Sequence, residues 1–236
     1  MKNKTYIGSE LELFSQAYNW KSYYSSHIHN FLGDSVLEVG AGIGTTTRCL
    51  CKALKEKWIC LEPDSLLADR INASIANGTL PKCCQVRPGT IEDLRTEEVF
   101  KTIIYIDVLE HIKDDFAEVR HAAEHLECNG YLIVLAPAHQ WLFTPFDQAI
   151  GHYRRYSRAS LSAVIPETLE PITVKYLDSI GLIATLGNHF LLKSKMPSKK
   201  QIMIWDRIMI PISRMVDPLL RFSIGKSVLG IWQKKI

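Results

Sequence analysis

The chain has 236 residues, 47% of them hydrophobic, and a formal net charge of +3. That length suits a single domain with a substantial core, and so small a charge excess argues against nucleic acid as a partner. No uncharged apolar run approaches the roughly 20 residues needed to span a bilayer. The basic start, Met1-Lys2-Asn3-Lys4, runs on to Glu10 and Glu12 without the long apolar stretch of a secretory signal.

Six cysteines are present and none has paired CxxC spacing. A reduced, cytoplasmic protein without a zinc site is expected. His121 and His125 share a helix face but lack a third ligand, so no metal is expected.

Residues 9 to 31 read as a helix. Leu11, Phe14 and Tyr18 recur at helical spacing, and Ser9 with Glu12 forms a capping-box pattern. Next comes Ser35-Val36-Leu37-Glu38-Val39-Gly40-Ala41-Gly42-Ile43-Gly44-Thr45. It is a short apolar strand ending in a glycine-rich turn, with a helix expected after it. Such a turn lets backbone approach a bound nucleoside closely. A dinucleotide fingerprint needs a third glycine three residues after the second. Thr45 occupies that position, which disfavours a pyrophosphate cradle and a nicotinamide-dependent oxidoreductase. A tight turn without ligand is the plain structural alternative.

Trp58-Ile59-Cys60-Leu61-Glu62-Pro63-Asp64 reads as a second strand ending in acid. Glu62 stands where a carboxylate can accept hydrogen bonds from both ribose hydroxyls; a solvated loop acid is the alternative. Asp64 to Asn77 should be a helix ending before Gly78. Val86-Arg87-Pro88-Gly89-Thr90-Ile91-Glu92-Asp93-Leu94 is a loop candidate for the base of the nucleoside. Phe100 to Asp107 is another strand, running into Val108-Leu109-Glu110-His111-Ile112. Asp114 to Glu127 should be helical. Asn129-Gly130 signals a turn, and Tyr131 to Pro137 is a fifth strand. This alternation predicts an α/β fold, doubly wound around a mostly parallel sheet.

Residues 138 to 156 read as an irregular loop, and a loop that long in a compact domain is usually functional. It contains Asp147 and then Gly151-His152-Tyr153-Arg154-Arg155-Tyr156. It follows the fifth strand, so it should hang over the carboxyl ends of the strands, where ligands bind in such sheets. His152 can act as a general base near neutral pH, with Asp147 to orient it. Arg154 and Arg155 offer bidentate donors to an anion, and Tyr153 and Tyr156 offer flat surfaces and hydroxyls. A solvated basic loop packed by its own aromatics is the competing reading. Ser157 to Val164 should be a helix, Thr173 to Leu177 a sixth strand and Val228 to Trp232 a last one. Between them lies an insertion, 178 to 226, with two apolar helical stretches and a basic link at Lys193 to Lys200. It reads either as a packed cap or as an interfacial helix pair flanked by Lys193, Lys195, Lys199 and Lys200.

The pattern Glu38-x-Gly40-x-Gly42-x-Gly44, with the acid at Glu62 and the Asp107-Val108-Leu109-Glu110-His111 string, resembles class I S-adenosylmethionine (SAM)-dependent methyltransferases. The Gly-His-x-Arg-Arg-Tyr string resembles one bacterial subgroup of them. That resemblance implies a Rossmann-like methyltransferase fold with seven strands over residues 1–236 as one domain. An N-terminal cap helix (9–31) and a helical insertion (178–226) would be added to it. It implies SAM as cofactor, held by Trp20, Lys21, Glu38, Gly40, Ala41, Gly42, Glu62, Pro63, Thr90, Ile91, Asp107, Val108 and His111. His152 and Asp147 would be catalytic, and Tyr153, Arg154, Arg155 and Tyr156 would bind substrate. The expected acceptor is an anionic small molecule, glycan- or lipid-linked, methylated on O or N, with a possible contact to the inner membrane face. The string Asn/Asp-Pro-Pro-Tyr/Phe of amine-methylating DNA enzymes is absent after the fourth strand. A SAM-binding protein without turnover is the remaining alternative.

Overall fold

A computed structural model describes residues 10–51, 56–191 and 198–235. The capping residue expected at Ser9, and Lys193 and Lys195, lie outside the described residues. The chain begins with α1 (Glu10–Ser15) and α2 (Tyr18–Ile28), then β1 (Ser35–Val39), α3 (Thr45–Leu50), β2 (Lys57–Glu62), α4 (Ser65–Ala76) and β3 (Cys84–Pro88). It continues through β4 (Phe100–Ile106), α5 (Asp115–Glu124), β5 (Leu126–Pro137), α6 (Pro145–Ala149), α7 (Arg158–Ala163) and β6 (Leu169–Leu177). Then follow α8 (Ser179–Leu191), α9 (Lys199–Ile204), a π-turn over Trp205–Met209, α10 (Ile210–Leu219) and β7 (Ser227–Lys234).

The seven strands form one sheet in the order β3-β2-β1-β4-β5-β7-β6. The first five run parallel, and β7 is antiparallel to both β5 and β6. Both faces are covered. Because strand side chains alternate, Leu37, Val39, Ile59, Leu61, Leu132 and Val134 enter one core. Val36, Trp58, Cys60, Ile133 and Leu135 enter the other. This two-sided burial explains why β1, β2 and β5 read as continuous apolar runs.

Local chemistry sets the boundaries of α4. Asp64 accepts from the N–H groups of Leu66 (2.8 Å) and Leu67 (3.2 Å), the ordinary N-cap arrangement. Gly78 follows the helix with φ +78°, the left-handed stop that glycine tolerates.

Three expectations are corrected. Residues 9 to 31 are not one helix. The chain breaks at Gln16–Ala17, and Lys21 Nζ donates to the carbonyl of Phe14 (2.7 Å), satisfying the end of α1. The fifth strand begins at Leu126 and not at Tyr131; Asn129-Gly130 lies within it, beside an irregularity in the pairing with β4, and Asn129 takes φ +62°. The stretch 138–156 is not wholly irregular. Thr144 and Asp147 form a reciprocal capping box that starts α6.

The insertion forms a helical cap tied together and to α2 by three buried acids. Asp178 accepts from Trp205 Nε1 (2.7 Å) and Ser213 Oγ (2.8 Å). Asp206 accepts from the backbone N–H of Trp20 (2.9 Å). Asp217 accepts from Tyr23 Oη (2.7 Å) and from the N–H groups of Asp178 and Ser179 (2.7 and 3.0 Å).

Candidate active site

The turn after β1 holds Gly40, Gly42 and Gly44 at φ +65°, +58° and +75°. Gly40 is enforced twice, by that angle and by space. A Cβ there would lie 2.7 Å from Val108 Cγ2. The N–H groups of Gly40 and Ala41 donate to Leu61, and that of Gly42 donates to Glu62 Oε2 at 2.7 Å. Glu62 Oε1 accepts from Asp64 N–H at 2.9 Å. Burial raises the Glu62 carboxyl above the ordinary range. Beneath the turn, Glu38 accepts from Thr47 Oγ1 (2.7 Å) and Trp58 Nε1 (2.8 Å), and burial pushes it up to about 7.

A cavity of about 670 Å³ opens from this turn, within the range of small-molecule sites. Gly40, Ala41, Gly42, Thr45 and Thr46 form one end. Trp20 and Lys21 of α2, Asp107 after β4, and Trp205 and Ile202 of the cap form the walls. Asp107 has φ +54°. Its side chain is exposed to the cavity, and desolvation at the cavity wall pushes it up to about 6, against the pull of nearby His152 and Lys21. Lys226, just before β7, also lines the wall, with its ammonium 4.8 Å from the Trp205 ring.

At the other end, Asp147 organises the loop. It is fully buried and accepts from Thr144 N–H (2.8 Å) and Oγ1 (2.7 Å), from Arg155 Nε (2.8 Å) and Nη2 (3.0 Å), and lies 3.0 Å from His152 Nδ1. Burial opposes its ionisation, but the His152, Arg155 and Thr144 donors win and hold it well below the carboxylate range. His152 Nε2 faces Glu110 Oε1 at 3.8 Å. The His111 and His152 rings meet edge to face at 4.4 Å. Burial lowers His111 to about 4 and drives Glu110 well above its ordinary value.

The structure thus brings Trp20, Lys21, Gly40, Ala41, Gly42, Asp107, His111, Asp147, His152 and Arg155 around one cavity. Other expected site residues stand elsewhere. Glu38 braces Thr47 and Trp58 below the turn. Pro63 and Glu62 sit at the end of β2, outside the cavity lining. Thr90 is exposed and caps a short turn through Asp93. Ile91 and Val108 pack in or against the core. Arg154 faces away, paired with Asp115 and the Lys113 carbonyl. Tyr156 is buried and donates to Asp115 at 2.6 Å. Tyr153 is about half exposed, beneath the Arg154 guanidinium. The expected substrate-binding residues Tyr153, Arg154 and Tyr156 do not line the cavity: Asp115 engages Arg154 and Tyr156, and Tyr153 stays half exposed outside it. Arg155 reaches the cavity, but Asp147 engages its fork.

Two charged residues of the cavity wall, Glu110 and Lys226, are not among the site residues expected from the sequence. Glu110 lies in the post-strand string Asp107-Val108-Leu109-Glu110-His111, and its place beside His111 is the sequence signal for it. For Lys226, one lysine among 28 basic residues, there is none.

A sequence profile for a methyltransferase domain matches residues 16–167. The chain belongs to that methyltransferase family, and it is a SAM-dependent methyltransferase. The nicotinamide reading falls with that result. Solved structures share the fold. The proposed sarcosine dimethylglycine methyltransferase of Galdieria sulphuraria aligns with TM-score 0.62 and 15% identity over 92% of this chain and 84% of that one. Coclaurine N-methyltransferase, bound to N-methylheliamine and S-adenosylhomocysteine (SAH), aligns with TM-score 0.63 and 14% identity over 92% and 72%. The [4+2]-cyclase SpnF aligns with TM-score 0.61 and 12% identity over 98% and 95%, so the fold by itself does not define the reaction. No curated protein sequence matches the chain. Among the described residues, no helix is long and apolar enough to cross a membrane.

Proposed function

We propose that the chain methylates a hydroxyl or amine on an apolar-bodied acceptor, a lipid-linked or comparable small molecule, at the His152 end of the cavity. SAM supplies a methyl group already activated on a sulfonium. The glycine turn fits such a donor, since Gly40 and Gly42 present backbone with no side chain in the way, and Asp107 offers a carboxylate to its cationic end. Glu62 at the end of β2 and the exposed Thr90 would meet the ribose and adenine beyond the cavity, with Ile91 packed beneath.

The chain then has to align the acceptor, exclude water and take up a proton. Asp147 and His152 carry this reading. The carboxylate at Nδ1 orients the imidazole and leaves Nε2 to receive the acceptor proton. An anionic group on the acceptor would meet Lys226, because the forks of Arg154 and Arg155 are already engaged.

The outer face of the cap supports a lipid-linked acceptor and a peripheral contact with an anionic bilayer. Ile204, Ile208, Ile212, Met215 and Leu219 form a helical stripe, with Met215 75% and Leu219 82% exposed. The only acids between residues 178 and 226 are Asp178, Asp206 and Asp217, and all three are buried. The exposed charges beside the stripe, Lys199, Lys200, Arg207, Arg214 and Arg221, are therefore all positive. Amphipathic helices of this kind lie in membrane interfaces.

The test is methyl-labelled SAM with the purified enzyme and cell extract divided into lipid, polar and nucleic-acid fractions. Label should enter the lipid fraction and should fall with His152→Gln. Label confined to nucleic acid or the polar fraction would overturn the acceptor class.

A further inference from the structure

The geometry points to a divalent transition-metal site formed by Glu110, His111 and His152 at the inner end of the cavity. One ligand atom from each of the three lies within 4.8 Å of the others. Two imidazoles and one carboxylate form a donor set suited to zinc, manganese, iron or cobalt.

Glu110 is the second, independent observation. It is fully buried, and neither carboxylate oxygen has a hydrogen-bond partner. A buried carboxylate left so is costly; a cation in front of it supplies the missing contact. His152 is already arranged as a ligand. Its Nδ1 is held by Asp147 at 3.0 Å, the support that metal-binding imidazoles usually have. The 3.8 Å between Nε2 and Glu110 Oε1 is close to the separation of two donors that each bind one ion at about 2.0–2.2 Å. His111 closes the third side, and the cavity leaves a further position for an acceptor oxygen. Because they offer two histidines without a carboxylate, His121 and His125 are not part of the site.

What the ion does rests on the proposed methyl transfer; whether it binds does not. With an ion held by Glu110, His111 and His152, Nε2 would no longer be free to take the acceptor proton; the ion would supply Lewis acidity that lowers the pKa of a hydroxyl bound to it, and the proton would pass to water.

The test uses the full chain stripped by chelator and titrated with Co²⁺, followed by equilibrium dialysis and visible absorption. Stoichiometric binding with weak ligand-field bands and no sulfur-to-cobalt charge-transfer band is expected. Asp147→Asn should weaken binding about 10–100-fold, and Glu110→Gln and His111→Gln by at least as much, with the circular dichroism of each variant checking its fold. A charge-transfer band, or binding lost in Cys83→Ser, would put the ion at Cys51, Cys83 and Cys84 and overturn the site. So would absence of binding, or wild-type affinity in folded Glu110→Gln and His111→Gln. Transfer that survives chelation but not His152→Gln overturns the ion's part in transfer and keeps the base. Stoichiometric Co²⁺ in a protein that labels no lipid keeps the ion and removes the acceptor reading.

Discussion

His152 Nδ1 lies 3.0 Å from Asp147 Oδ1, in a carboxylate that the guanidinium of Arg155 also clamps through Nε and Nη2. The imidazole therefore has a fixed orientation before any acceptor arrives. His152→Gln should lower kcat for labelled transfer by about 10²–10⁴-fold while calorimetric SAH affinity stays within twofold. Asp147→Asn should lower kcat less, since an amide oxygen can still face Nδ1. SAH binding lost together with turnover in His152→Gln would show that this loop shapes the donor site instead.

Gly40 and Val108 exclude any side chain at position 40. Gly40→Ala places a methyl group 2.7 Å from Val108 Cγ2 at φ +65°, and overpacking with left-handed strain costs roughly 2–4 kcal/mol together. Val108→Ala in the same chain should recover the steric part and leave the backbone part. A double-mutant cycle by urea unfolding should give a favourable coupling of about 1 kcal/mol or more; strict additivity would place the cost elsewhere.

Glu38 should make stability fall as pH rises. Its carboxyl moves from the ordinary 4.5 up to about 7 on folding, chiefly through burial. The folded state therefore holds the proton more tightly than the unfolded state. The advantage is complete below pH 4.5 and is lost as pH rises through about 7, with a slope of at most ~1.4 kcal/mol per pH unit. Glu38→Gln retains an oxygen for Thr47 and Trp58 and removes the titration. Its stability relative to wild type should rise between pH 5 and 7.5 in denaturant titrations. A constant difference across that range would remove the effect.

Asp217 joins α10 to α2 and to the turn after β6 through Tyr23 Oη and the N–H groups of Asp178 and Ser179. Asp217→Ala leaves three buried donors without their acceptor and should cost on the order of 3 kcal/mol. Asp217→Asn should cost less. Thermal melts measure both, and an unchanged Tm for Asp217→Ala would mean that water replaces the carboxylate.

The cationic and apolar face of the cap predicts binding to anionic vesicles. Lys199→Glu with Lys200→Glu should weaken vesicle affinity in co-sedimentation by about 30-fold or more, since each basic residue near such a surface contributes about 1 kcal/mol. Leu219→Asp should weaken it even at low salt. Sedimentation unchanged in both variants would show that the face serves another contact.

The amino-acid sequence alone determined the strand-turn-helix frame and the methyltransferase resemblance. Apolar runs at Val36–Val39, Trp58–Leu61 and Tyr131–Ala136, the glycines at 40, 42 and 44, and the caps at Asp64 and Ser157 act over a few residues. Such signals survive in one dimension. Only the folded chain decided which side chains of the Gly151–Tyr156 string turn inward. His152 and Arg155 meet Asp147, while Arg154 and Tyr156 are drawn to Asp115, some 40 residues away in sequence. Only the fold, too, buried Asp178, Asp206 and Asp217 and left the cap's surface charge positive, and brought Glu110 against His152. Partner choice among like-charged groups depends on distances that chain closure sets, and no local pattern encodes those distances.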